Sequence, residues 1–222
     1  RQPLSSIGTA SYNLKYKLLS NKYNLETKEG RVKQKDFFLI KLDEIEFYVS
    51  NLTTTIDDFR NFYKSNKKIV NTNISNPITN SLKLLKKDLE LNNISLTLDL
   101  NSKSEINIYE NEIVHVILNI LKNAQDKLLE QSIKYAKIEI KTQDLEDSIQ
   151  VDIYDNGGGI EEGNLAQVFE PYFSTKKEKN GTGIGLYMSK IIIENHHQGK
   201  LFVNNIKQGV CFSIILDKKI QA

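Results

Sequence analysis

From Phe38 to Tyr63 the apolar residues Phe38, Leu42, Ile45, Val49, Leu52, Ile56, Phe59 and Tyr63 fall at alternating steps of four and three without a miss. A strand repeats every two residues, so this spacing admits only a long helix with an apolar seam, of the kind buried in coiled coils and bundles. An earlier segment holds the same steps through Leu4, Ile7, Ser11, Leu14, Leu18, Asn21 and Leu25, where Ser11 and Asn21 weaken the seam and help to set its register. Between the two lies ETKEGRVKQKD (26–36), whose charges and Gly30 suit a helix-to-helix connection. The expectation for residues 1–67 is an antiparallel helical hairpin. Two helices alone cannot cover both seams, so a second copy is expected to complete a four-helix bundle as a homodimer.

From about residue 69 the period changes, and a second domain is expected over 68–222. KIVNTNI and ISLTLDL alternate like half-buried strands, separated by the helical NPITNSLKLLKKDLEL with Pro77 in its first turn. YENEIVHVILNILKNAQDKLLEQ is strongly amphipathic, and AKIEIKTQ and SIQVDIYD follow as a hairpin turning at Asp144 to Asp147. A helix opened by NGTGIGL runs to about His197, and GKLFVNN and GVCFSIIL close the chain as two strands. Cys211, alone of its type, lies in the last of these and reads as a buried strand residue. Thirty basic residues against 28 acidic ones leave a net charge of +2, too small to point to nucleic acid or an anionic membrane. No run of about 18 apolar residues is present. The expected location is cytoplasmic, with membrane attachment only through a segment upstream of Arg1.

Three motifs in the second half carry chemistry. In NILKNAQDKL, Asn119 and Asn123 lie one helical turn apart, with Val116, Ile117, Ile120, Leu121 and Leu128 on the opposite side. Asn is a poor mid-helix residue; two on one face suit ligation of a hard cation such as Mg²⁺, or a plain polar stripe. In DIYDNGGGI, Asp155 ends a strand before three glycines, where its carboxylate can accept from an exocyclic amine and the glycines let a flat ring approach. A simple Asp-Asn-Gly turn would explain Gly157 but not the whole run. GTGIGL (181–186) enters a helix whose free N–H groups can hold phosphate oxygens, or serves only as a tight turn.

Taken together and in this order, NILKNAQDKL, DNGGGI, FEPYF and NGTGIGL resemble the N, G1, F and G2 boxes of the ATP-binding domain of sensor histidine kinases, a superfamily that includes gyrase, Hsp90 and MutL. The resemblance covers about residues 70–217 and implies an α+β protein: the helical hairpin followed by a two-layer α/β sandwich, the Bergerat ATP-binding fold. Carried over residue by residue, it implies that Asn123 ligates Mg²⁺ and that Asn119 lies beside the phosphates. It implies that Asp155 bonds the adenine amine, with Gly157, Gly159 and Ile160 lining the base pocket. Gly181, Thr182, Gly183, Ile184, Gly185 and Leu186 would cradle the phosphates. Thr175 would contact the nucleotide, Lys176 would approach the γ-phosphate, and Phe169 and Phe173 would anchor a lid. Asp126, where many of these kinases have a basic residue, marks a subclass and leaves Lys122, Lys127 and Lys176 as the cations for the phosphates.

The helical half resembles the dimerisation and phosphotransfer hairpin of the same kinases. RQPLSSI matches the tail of a His-x-x-Arg-x-Pro-Leu box, which puts the phosphoacceptor His three positions before Arg1, and TIDDFRNFY matches the second helix. His115, His196 and His197 all fall in the second half and read as structural or solvated. The function implied is the catalytic core of a two-component histidine kinase, which uses Mg-ATP and passes phosphate through the His to a response regulator. This chain itself would bind nucleotide without labelling itself. An ATP-binding regulatory module without kinase activity is the alternative. A gyrase-like ATPase fits less well, because Glu112 is the nearest acid for a general base and stands seven residues ahead of Asn119.

Overall fold

A computed structural model of the chain describes residues 2–20, 22–64, 68–174 and 183–218, less the side chains of 2–3, 51 and 54–64. Arg1, Thr175, Lys176, Gly181 and Thr182 among the expected site and motif residues lie outside the described residues, as do the side chains of Ile56, Phe59 and Tyr63. The chain divides into a helical unit that reaches residue 63 and a second unit over 64–174 and from 183 onward.

The helical unit consists of α1 (Gln2–Leu19) and α2 (Lys28–Lys64). The connection falls earlier than 26–36, and Leu25, assigned to the first seam, lies in it rather than in a helix. Asn24 is the reason. Its side chain accepts from the N–H of Glu26 at 3.0 Å and its carbonyl from the hydroxyl of Thr27 at 3.0 Å. Thr27 in turn caps α2 by accepting from the N–H of Gly30 at 3.1 Å. Gly30 therefore sits in the first turn of α2, where a side chain would strike the Asn24 carbonyl. The Lys17 ammonium lies over the rings of Tyr23 and Phe37, tying the end of α1 to the start of α2.

The second unit begins with β1 (Val70–Asn73), α3 (Ser75–Leu91), β2 (Ser95–Leu100), β3 (Glu105–Ile108) and α4 (Glu110–Glu130). It continues with β4 (Lys137–Asp144), β5 (Ser148–Asp155), a short α5 (Glu162–Leu165), α6 (Gly185–Ile191) and a π-helical turn (Ile192–His196). The strands β6 (Lys200–Ile206) and β7 (Gly209–Asp217) close it. The main sheet has the order β2-β4-β5-β7-β6, parallel between β2 and β4 and antiparallel elsewhere. α3 packs on β2, α4 on β5 and α6 on β6, making the expected two-layer sandwich. The KIVNTNI strand, β1, does not join this sheet. It pairs with β3, too short and polar a run to announce itself, in a separate two-stranded ribbon.

α4 owes its place to its pattern. Ile113, Val116, Ile117, Ile120, Leu121, Ala124 and Leu128 recur at helical spacing and are all buried. Glu110 and Glu112 in its first turn complement the helix dipole. α3 and α4 both end without glycine, on residues of positive φ, Asn93 (55°) and Ser132 (50°). In each case the next residue donates back, Ile94 to the carbonyl of Leu89 and Ile133 to that of Leu128. Asp144 joins the end of β4 to the loop before β3: it accepts from the N–H groups of Lys103 and Ser104 and from the Ser102 hydroxyl, and is drawn down to about 2.

Truncation of Ile120, which has no exposed surface, is expected to cost about 3–4 kcal/mol in Ile120→Ala. Leu84→Ala, at a residue 67% exposed, is expected to stay within about 0.5 kcal/mol. Urea unfolding of the two variants, followed by circular dichroism, checks the contrast.

Candidate functional site

The strand β5 alternates except at Asp152, which is buried on its other face. Ile149, Val151, Ile153 and Asp155 are all buried, on the face that α4 covers. The alternation that buries three aliphatic residues thus carries a carboxylate into an apolar setting at the strand end, 5% exposed. Asp155 Oδ1 accepts from the N–H of Gly157 at 2.8 Å. Burial pushes the carboxyl up to about 6, against the pull of that N–H and of the Lys127 charge. An acceptor raised in this way binds more strongly to a donor that can replace the water it has lost.

The glycines after Asp155 form a close cradle. A Cβ on Gly157 would stand 3.1 Å from Asp155 Oδ1 and 3.2 Å from Lys127 Cγ, so a side chain there would fill the space over the carboxylate. Gly158 takes φ 88°, open to glycine and strained for other residues. At the far end of the loop the side chain of Asn205, on β6, accepts from the N–H of Ile160 at 2.8 Å and donates to its carbonyl at 2.7 Å. Gly209, at the start of β7, has no room for a side chain because it would strike the Asp155 carbonyl. Neither Asn205 nor Gly209 stands out in the sequence; each matters only through strand pairings that bring β6 and β7 beside β5.

On the polar side of α4 the amide of Asn119 lies within 3.4 Å of the Gly185 carbonyl and 3.3 Å of the Ser189 hydroxyl, joining α4 to the start of α6. Asn123, one turn on, is half-buried and makes no hydrogen bond among the described residues, leaving its amide available to a ligand. Lys127 stands at the Asp155 end of the site and pairs with Glu130 at 3.4 Å, while Lys122 and Asp126 are exposed. Gly183 takes φ 65°, with a hypothetical Cβ only 2.5 Å from the carbonyl carbon of Tyr172, and its own carbonyl accepts from the Tyr172 N–H at 2.9 Å. The FEPYF segment and the glycine segment before α6 are thus bonded to each other. Phe169 packs edge-on against Phe212, and Phe173 is half-buried. Ile184 is buried and Leu186 half-buried.

Glu112 is accounted for differently. It is 1% exposed, meets His196 Nδ1 at 2.9 Å and lies 3.4 Å from His197 Nε2, a contact without hydrogen-bond alignment. Burial opposes its charge, but the two imidazoles hold its carboxyl below the usual range. A carboxylate so engaged is poorly suited to act as a general base.

The raised Asp155 carboxyl sets a stability signature. Its folded value near 6 exceeds the unfolded value, so the folded state holds the proton more tightly. Stability is greatest below the unfolded value and falls as pH rises through 6, where the buried charge costs about 3 kcal/mol. Asp155→Asn keeps an oxygen for the Gly157 N–H and cannot ionise. It is expected to melt several degrees above the parent at pH 7.5 and level with it at pH 4, as read by calorimetry; a lower melting temperature at pH 7.5 would contradict the assignment.

A family described as histidine kinase-, DNA gyrase B-, and HSP90-like ATPase matches residues 108–220, just over half of the chain. Sporulation kinase A of Bacillus subtilis (strain 168) is 30% identical over 195 residues, 87% of this chain and 30% of that protein. The catalytic domain of histidine kinase ThkA superposes with a TM-score of 0.60 at 26% identity, over 68% of this chain and 98% of that one. The structure of ThkA in complex with the response regulator protein TrrA matches 99% of this chain and 58% of that one, with a TM-score of 0.63; at 22% identity it speaks for the fold alone. The chain spans 12% and 30% of the length of two curated relatives, the two-component sensor PprA of Pseudomonas aeruginosa and sporulation kinase A. With its buried Asp155 beside a glycine cradle and its α+β sandwich after a helical segment, the chain belongs to the histidine kinase-, gyrase B- and HSP90-like ATPase family and carries the ATP-binding catalytic domain of a sensor histidine kinase.

Proposed function

We propose that this chain is the catalytic core of a two-component sensor histidine kinase, which binds Mg-ATP and directs its γ-phosphoryl group to a His lying three positions before Arg1 in the parent protein. The observation that carries the reading is the buried Asp155 carboxylate roofed by Gly157, an acceptor placed for the exocyclic amine of adenine. ATP supplies the phosphoryl group. The residues of the chain bind and orient it: Asp155 and the loop of Gly157, Gly159 and Ile160 take the base. Asn123 would hold Mg²⁺ through its amide oxygen, a hard donor suited to that ion. Asn119 fixes the start of α6, and the phosphates would lie against the stretch of Gly183, Ile184, Gly185 and Leu186 there. Thr175, Lys176, Gly181 and Thr182, which the family resemblance assigns to the nucleotide, lie outside the described residues. In such transfer the protein chiefly positions groups and stabilises charge.

The helical unit supports a homodimer. Its seam residues Leu42 and Val49 are 47% and 49% exposed in the single chain, and Leu4 and Leu18 still more so. A second copy would bury these seams in a four-helix bundle. The response regulator is the expected acceptor from the phospho-His, in keeping with the ThkA–TrrA complex. No described helix is long and apolar enough to cross a membrane. The engagement of Glu112 with His196 and His197 supports the kinase reading over a gyrase-like hydrolase.

Calorimetric titration with ADP and Mg²⁺ tests the site. Asp155→Asn is expected to weaken binding roughly 100-fold, through loss of a charge-assisted hydrogen bond, while the fold is not weakened. Asn123→Ala is expected to remove the dependence of binding on Mg²⁺. Incubation with γ-labelled ATP is expected to leave the chain without acid-labile label, and to label a hairpin extended upstream through the His; label on the chain as it stands would contradict the assignment.

A further inference from the structure

The loop that leaves β5 crosses the sheet. Asp155 pairs with Val210 on β7, and Val210 pairs with Asn205 on β6, so the three residues form one rung across the strands. The loop begins at one end of this rung and is tied down at the other. At its near end the Gly157 N–H bonds to Asp155 at 2.8 Å. At its far end Asn205 accepts from the N–H of Ile160 at 2.8 Å and donates to the carbonyl of the same residue at 2.7 Å. Gly159 lies against the same amide, its Cβ position 3.1 Å from Asn205 Oδ1. Between the two ties Gly158 has no neighbour within 4 Å of its Cβ position.

Two bonds from one side chain to both main-chain groups of one residue fix the orientation of that backbone as well as its place. A carboxamide carries a donor and an acceptor in that arrangement, whereas an ionised carboxylate carries acceptors alone. We propose that Asn205 is a positioning residue that sets the base specificity of the nucleotide site by pinning Gly159 and Ile160. The inference rests on the nucleotide reading of Asp155. A purine with a carbonyl in place of the adenine amine meets a carboxylate with no proton to give, and that rejection is sharp only where the ring cannot shift. The loop determines how far the ring can shift, and Asn205 determines the loop.

Asn205→Ala in the full chain tests this, with Asn205→Asp as partial rescue, since its carboxylate keeps the acceptor for the Ile160 N–H and lacks the donor. In Asn205→Ala, ADP is expected to bind about tenfold more weakly, the preference for ADP over GDP to narrow, and the Ile160 amide of the nucleotide-free chain to exchange several-fold faster. The melting temperature is expected to hold within about 2 °C, and Asn205→Asp to fall between the parent and Asn205→Ala in affinity and exchange. Affinity and preference unchanged within twofold in Asn205→Ala would overturn the proposal and leave the nucleotide reading intact. A matched loss of affinity for both nucleotides together with a fall in melting temperature would overturn it as a mere structural effect. Failure of the unaltered chain to bind ADP would overturn the nucleotide reading itself, and this proposal with it.

Discussion

The apolar face of α4 on the main sheet is the contact on which the rest of the second unit depends. Val116, Ile117, Ile120 and Leu121 have no exposed surface, and α3 and α6 pack on either side of the same helix. A helix whose rotation is fixed by one buried stripe has its remaining faces fixed as well. The burial of those aliphatic side chains therefore aims Asn119, Asn123 and Lys127, which follow one another at four-residue steps along the helix. Large stabilising contacts and small functional ones are two sides of one element.

The same logic produces the carboxylate of the site. Asp155 occupies an inward position of β5 because of its register with Ile149, Val151 and Ile153, and the sheet carries it out of water whatever its own preference. The raised carboxyl measures that conflict, and the Gly157 N–H relieves only part of it. A site that is locally unfavourable in the empty protein is common where a ligand restores the missing partner. Glu112 stands at the opposite pole. Also buried and charged, it meets two imidazoles within the domain, and its role ends in joining the start of α4 to the end of the π-helical turn.

The helical unit was legible in outline. Steps of four and three announced both helices, because each seam is a local pattern, but the turn between them ended before Lys28 rather than spanning 26–36. The heptad carried on through Leu25 in the sequence while the chain did not, since Asn24 and Thr27 offer the backbone bonds that a helix would otherwise claim. Glycine was a misleading marker here, tolerated inside α2 for a close approach rather than placed at the turn.

The sequence by itself determined the order of most elements, β3 and the short α5 excepted, the amphipathic face of α4 and the place of Asp155 and its glycines at the end of β5, because these depend on residues close together in the chain. Only the tertiary structure decided that β1 pairs with β3 in a separate ribbon, that Asn119 bonds to Gly185 and Ser189, and that Asn205 and Gly209 hold the loop after Asp155. Such contacts join residues about 30 to 70 positions apart. Their partners become neighbours only when strand pairing sets the register, and no local pattern carries that information.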